Sequence, residues 1–204
     1  MLCIWSLKVY KKGFASVIIT VLNILHFNVI LLKRGEYGMN KIGIRPFRKN
    51  DAMLIKDWCK DEETFYKWSA GRLGKYPVTS ERLLGELYGR DDNDGYFPFT
   101  AFDENGPAGF FILRKPGSSM YELRFGFIIV NPDYRGKGYG RAMLALGIKY
   151  AKEIYGADRL SIGVFENNLP AIRCYKSAGF KETGAFEEYS IMDEKWKCIE
   201  LEKK

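Results

Sequence analysis

The feature that most limits how this chain can fold is the stretch NPDYRGKGYGRAMLALGIKYA, residues 131–151. An apolar run, FGFIIV at 125–130, leads into it. Gly136, Gly138 and Gly140 then alternate with Lys137 and Tyr139, and Arg135 stands in front of them. Glycine reaches backbone conformations that other residues avoid, so the chain can turn sharply here. Beyond the turn, Met143, Leu144, Gly147, Ile148, Ala151 and Ile154 recur at helical spacing. The expected order is a strand, a tight basic turn and an amphipathic helix.

The flanking sequence extends this alternation. Strands are predicted at 42–48, 96–103, 108–115, 121–130, 159–165 and 194–202, with a hairpin turn at Glu104-Asn105-Gly106. The run at 121–130 ends almost continuously apolar, as a buried central strand does. Asn50 and Asp51 are candidate caps for a short helix, AMLIKDWCK. A short helix and a loop broken by Gly71, Gly74 and Pro77 fill 61–80, and Ser80 is the expected cap of a helix over 80–89. DDNDG at 91–95 and PGSSM at 116–120 are expected turns. NNLPAIRCYKSAGF, 167–180, reads as a capped helix that stops at a left-handed Gly179. No repeat or linker interrupts 39–204, which reads as one α+β domain with a mixed sheet.

Composition excludes several functions. The chain has 204 residues and is 47% hydrophobic and 15% aromatic, which supports a sizeable core. The net charge is +7, of which +4 falls in residues 1–38. The remaining +3 is too weak a bias to argue for nucleic-acid binding. Cys3, Cys59, Cys174 and Cys198 form no CxxC pair and suit a reduced, cytoplasmic protein. The one histidine, His26, lies in the N-terminal segment. The main domain must work without histidine, which excludes a His-based nucleophile device and a His-ligated metal.

Residues 1–38 form an apolar extension. FASVIITVLNILHFNVILL, 14–32, has the length of a membrane span and basic residues at both ends. Asn23, His26 and Asn28 inside it argue against a span, and charge on both flanks gives no orientation. No small-residue cleavage site follows. A second reading starts natural translation at Met39, because Lys33-Arg34-Gly35-Glu36 can be encoded by a purine-rich ribosome-binding run. Membrane contact is expected only if 14–32 is an anchor.

A strand, a Gly/basic loop and a helix together make an anion site. Amides at a helix start lack intrahelical acceptors and carry partial positive charge. The Walker pattern fails for want of GK[ST]. The dinucleotide pattern GxGxxG fails because Arg141 stands where its third glycine belongs. R-x-x-G-x-G fits at Arg135 to Gly140. Downstream, Asn168-x-x-Ala171-x-x-x-Tyr175-x-x-x-Gly179-Phe180 follows a strand. With these two motifs, residues 42–202 resemble the GNAT N-acetyltransferase superfamily.

The resemblance implies a mixed, mostly antiparallel sheet flanked by helices, with two central parallel strands splayed apart. It implies acetyl-CoA as co-substrate, no metal, and an amine acceptor that attacks the thioester directly. That amine is borne by a small molecule or a protein. A homodimer is compatible with it, and a CoA-binding sensor without turnover is the alternative. The residues implied to hold acetyl-CoA are Ile128, Ile129 and Val130 at the strand end, Arg135, Gly136, Lys137, Gly138, Tyr139 and Gly140 in the loop, and Asn168. Tyr175 matches the general acid that protonates the departing thiolate. Glu122 is the candidate base, beside a water chain or an amine that arrives neutral. Trp58, Phe65, Tyr66, Trp68 and Tyr76 are candidates for the acceptor pocket.

Overall fold

The computed structural model describes residues 30–31, 42–89, 95–117, 119 and 121–204. The expected apolar segment at 14–32 lies outside them except for Ile30–Leu31, as do Met39 and most of the turn at 91–95. The strands are β1 (Ile30–Leu31), β2 (Gly43–Pro46), β3 (Tyr96–Asp103), β4 (Gly106–Arg114), β5 (Glu122–Val130), β6 (Arg159–Phe165), β7 (Lys181–Ile191) and β8 (Glu194–Lys203). The helices are α1 (Ala52–Ile55), α2 (Glu62–Ser69), α3 (Ser80–Tyr88), α4 (Tyr139–Lys149) and α5 (Leu169–Ser177). The eight strands form one sheet in the order β1-β2-β3-β4-β5-β6-β8-β7. Only β5 and β6 run parallel; every other neighbouring pair is antiparallel. The expected α+β fold, with a mostly antiparallel sheet and a parallel pair at its centre, is what forms. Among the described residues no helix is long and apolar enough to cross a membrane.

Helices cover both faces of the sheet. On β4, Phe111 and Leu113 join the core under α4 and α5, while Phe110 and Ile112 join the core under α1–α3. A strand buried on both sides needs no polar alternation, which is why β4 reads as a plain apolar run. β5 is different. Leu123 and Phe125 belong to the α4–α5 core, but Phe127 and Ile129, of the same parity, belong to the α1–α3 core. A β-bulge makes the exchange: Ile112 pairs with Gly126 and Phe110 with Ile129, so β5 carries one surplus residue. Phe127 takes φ 46°, in the left-handed region, and Trp68 Nε1 donates to its carbonyl at 2.8 Å. The continuous apolar run therefore belongs to two cores in turn rather than to one buried strand.

Four local readings change. Asp51 has helical φ and ψ and makes no side-chain cap to α1. Its buried carboxylate instead accepts from Arg45 Nη1 and Nη2 at 2.7 and 2.9 Å, from the Arg48 amide at 2.9 Å and from Thr100 Oγ1 at 2.7 Å. The cap of α3 is Thr79, which accepts from the Arg82 amide, and Ser80 is the first helical residue. α4 passes into a π-helical turn at Tyr150–Ile154, so Ile154 ends exposed rather than on the buried face. β7 has no counterpart among the strands predicted from sequence. It is an edge strand, exposed along nearly its whole length, so burial leaves no pattern on it.

Candidate functional site

The parallel pairing of β5 with β6 is short. It runs from Glu122 opposite Arg159 to Phe125 opposite Ile162 and stops. β5 continues to Val130 alongside β4, and β6 continues to Phe165 alongside β8. Each strand follows its antiparallel neighbour, so the two diverge from Gly126 and Gly163 onward. The splayed pair expected at the centre is present, and the bulge at Phe127 lies at its root.

The glycine loop closes the open end of this wedge. Asn131 donates its amide to the Ala108 carbonyl at 3.0 Å and caps a short turn at Pro132–Tyr134. Gly136 and Gly138 have φ of 74° and 84°, where a side chain would cost about 1–2 kcal/mol. Gly140 serves another purpose: a Cβ there would stand 3.3 Å from Cys174 Sγ and 3.5 Å from a Val130 methyl. It lets α4 start hard against α5 and the end of β5. Among the described residues, the amides of Gly136, Gly138, Tyr139 and Gly140 find no acceptor. Four such donors at the N-terminus of an eleven-residue helix make a ready anion cradle.

The loop's side chains are used differently from its amides. Arg135 turns back, donating from Nε to the Val130 carbonyl and from Nη2 to the Trp58 carbonyl, both at 3.2 Å. Its guanidinium thus braces the strand end against the chain after α1. Lys137 is exposed. Tyr139 points inward, and its hydroxyl donates to Asp103 Oδ2 at 2.7 Å, so only its backbone faces the loop. Burial, with Asp103 next to it, pushes the Tyr139 phenol well above its ordinary value. This anchor of α4 to the end of β3 is not signalled in the sequence, because Asp103 reads there as the last residue of a strand.

Of the strand-end residues, Ile129 is buried in the α1–α3 core, while Ile128 and Val130 pack on the α4–α5 side. Asn168 caps α5, its side chain accepting from the Ala171 amide at 3.4 Å. Tyr175, on α5, is 7% exposed, and its hydroxyl has no hydrogen-bond partner among the described residues. Burial, then the nearby Cys174 and Cys198 thiols, raises its pKa far above that of free tyrosine. It stays a neutral donor. Burial also lifts Cys59 to about 12 and Cys198 to about 11, so neither is a ready thiolate nucleophile.

Glu122 is the site candidate that the fold does not bring in. It lies at the closed end of the parallel pair, with Arg159 and Ser161 each 3.5 Å from its carboxylate. Six residues of strand, roughly 20 Å, separate it from Ile128. Its apparent approach to the site came from sharing a strand, and a strand is long. Of the aromatic candidates, Trp58, Phe65 and Trp68 are core, whereas Tyr66 and Tyr76 are only partly covered.

This architecture is matched by known proteins. Residues 55–180 match the acetyltransferase (GNAT) family, and the chain belongs to it. Among curated relatives, the spermine/spermidine N(1)-acetyltransferase of Bacillus subtilis (strain 168) is 38% identical over 58 residues, 28% of this chain and 38% of that protein. An N-alpha-acetyltransferase of Sulfurisphaera tokodaii is 40% identical over 119 residues, 48% of this chain and 71% of that one. The match thus spans well under half of the polyamine enzyme. Among solved structures, spermidine N-acetyltransferase from Vibrio cholerae, in complex with CoA and spermine, superposes with a TM-score of 0.67 at 18% identity. That alignment covers 79% of this chain and 94% of the other, and it establishes the shared fold.

Proposed function

We propose that this chain transfers the acetyl group of acetyl-CoA to the nitrogen of an amine, by direct attack. The observation that carries the reading is the unpaired amides of Gly136, Gly138, Tyr139 and Gly140 at the mouth of the β5–β6 wedge. They suit a pyrophosphate, and the unpaired edges of β5 and β6 suit an extended arm lying between them. Acetyl-CoA supplies the thioester that the amine attacks. The strand end at Ile128–Val130 presents fixed backbone groups to a developing oxyanion, and such donors need no rearrangement as charge builds. Asn168 holds the cofactor from the start of α5. The relatives named as N-acetyltransferases support an amine as acceptor.

Tyr175 is the proton donor in this scheme. Its ring is buried and its hydroxyl is neutral and uncommitted, so its proton is available to a departing thiolate. Glu122 has no part in it; the amine loses its proton to water or arrives neutral. The test is Tyr175→Phe, which keeps the ring and removes only the donor. Acetyl-CoA affinity by calorimetry is expected to hold, while kcat at saturating acetyl-CoA falls by about 10²-fold. Undiminished turnover would make Tyr175 a structural residue. A wild-type protein that binds acetyl-CoA but acetylates none of a broad set of amines would favour the sensor.

A further inference from the structure

On the α2 side of the sheet, at the root of the wedge, lies a charge that the acetyl-transfer scheme does not use. Arg124 of β5 reaches across β6 to Glu200 of β8, Nη1 to Oε1 and Nη2 to Oε2, the latter at 2.8 Å. Gly163 makes the crossing possible: a Cβ there would stand 2.7 Å from Arg124 Nη2 and 3.1 Å from Cys198 Sγ. Gly163 is also the first β6 residue beyond the last parallel pair. The guanidinium therefore lies over the point where the two strands part.

This pair is half-buried, with side-chain exposures of 22% and 24%. Guanidinium carries five N–H donors, and Glu200 takes two. The other three meet no acceptor among the described residues. Both oxygens of Glu200, by contrast, are engaged. The surroundings add little negative charge that is free to act. Tyr189 spends its hydroxyl on Glu187 at 2.8 Å, and Glu122 and Glu202 are both held by Arg159. Of the carboxylates around it, Glu187 is held by no cation among the described residues, but it lies on β7, two strands out from Gly163. A carboxylate finds a guanidinium with donors to spare.

We propose that Arg124 determines acceptor specificity by binding a carboxylate carried on the amine, so that the acceptors are amino-acid-type compounds rather than polyamines. The spacing agrees. From the level of Gly126 and Gly163 to that of Ile128–Ile129 is roughly 7–10 Å of strand, room for an amine and a carboxylate a few bonds apart. The proposal rests on the acetyl-transfer reading of the same wedge, and its test separates the two.

The test uses acceptor pairs that differ only in the carboxylate: phenylalanine and phenethylamine, methionine and 3-(methylthio)propylamine, ornithine and putrescine. Wild type is expected to prefer the carboxylated member by about tenfold or more in kcat/KM, since a site built to hydrogen-bond a group discriminates strongly against its absence. Arg124→Gln alone would strand Glu200, so the variant is R124Q/E200Q, which removes both charges together. It should lose the preference while keeping the decarboxylated rates and the acetyl-CoA affinity. Glu200→Gln frees the guanidinium and should keep or sharpen the preference. A purely structural ion pair would instead make both variants lose activity without changing it. Wild-type preference for the decarboxylated members or for spermine, or a preference that survives in R124Q/E200Q, overturns the proposal and leaves acetyl transfer standing. Failure to bind acetyl-CoA, with no amine turned over, overturns the acetyl-transfer reading and this proposal with it.

Discussion

Replacing Trp68 with phenylalanine tests whether the bulge in β5 is held from outside. Trp68 is 7% exposed, and its indole N–H donates to the Phe127 carbonyl at 2.8 Å in a buried setting. Phenylalanine keeps an aromatic ring against Phe110 and Phe127 but removes the donor. A buried carbonyl left without its partner costs about 1–3 kcal/mol. The smaller ring adds roughly 1 kcal/mol for the space it leaves. Phe127 already occupies a left-handed conformation that costs about 1–3 kcal/mol and persists only while its surroundings enforce it. We expect Trp68→Phe to lose about 2–4 kcal/mol in urea unfolding. We also expect kcat to fall beyond what acetyl-CoA affinity explains, because the strand end at Ile128–Val130 loses its alignment. A change under about 0.5 kcal/mol, the scale of an ordinary surface substitution, with normal turnover, would refute the idea that α2 sets the bulge.

Gly138→Asp puts a Cβ and a negative charge at φ 84° among the unpaired amides; acetyl-CoA affinity should fall at least about tenfold in calorimetry, with the fold intact by circular dichroism. Asp51 gives a pH dependence. Burial would raise its carboxyl pKa, but hydrogen bonds from Arg45, the Arg48 amide and Thr100 outweigh that and hold it below its ordinary value. A depressed folded pKa means the stabilisation is whole above the unfolded value, about 3.9, and is lost as pH falls through the folded one. Acid titration of stability should show that loss in wild type and a flatter curve in Asp51→Asn, which at neutral pH is weaker by about 3–5 kcal/mol. Finally, among the described residues a chain begun at Met39 gives up the pairing of Ile30 and Leu31 with Ile44 and Gly43; we expect it to fold and bind acetyl-CoA as the full chain does, checked by unfolding and calorimetry.

What could be read from the sequence was whatever burial or backbone demand writes into residue type. The glycines of the loop, the cap at Asn168 and the apolar strands β3 to β6 are of that kind. The chemistry of Arg135 and Lys137 could be read only as charge, and the fold spends Arg135 on two carbonyls instead. Asp51 looked like a cap because it stands where caps stand, yet a buried arginine claims it. β7 could not be read because KETGAFEEYSI faces solvent and has no apolar alternation to betray it. Glu122 shares the strand that leads into the loop, but sequence proximity does not convey the length of strand between them. The crossing of β5 between two cores was hidden because FGFIIV is apolar whichever core each residue enters.

That crossing has a consequence for how this protein can vary. The opening between β5 and β6 depends on a residue count: three steps along β5, from Gly126 to Ile129, against two along β4. Side chains along the run can be exchanged for others of similar bulk and the opening would remain. Removing one residue between Gly126 and Ile129 is a different event. β5 would then match β4 step for step, with Ile129 still opposite Phe110 and in the same layer. What would go is the kink of the bulge, and the strand would be free to stay alongside β6. A length change of one residue there is expected to abolish the cleft while leaving composition and hydropathy almost untouched, so in this stretch the number of residues matters more than their identity.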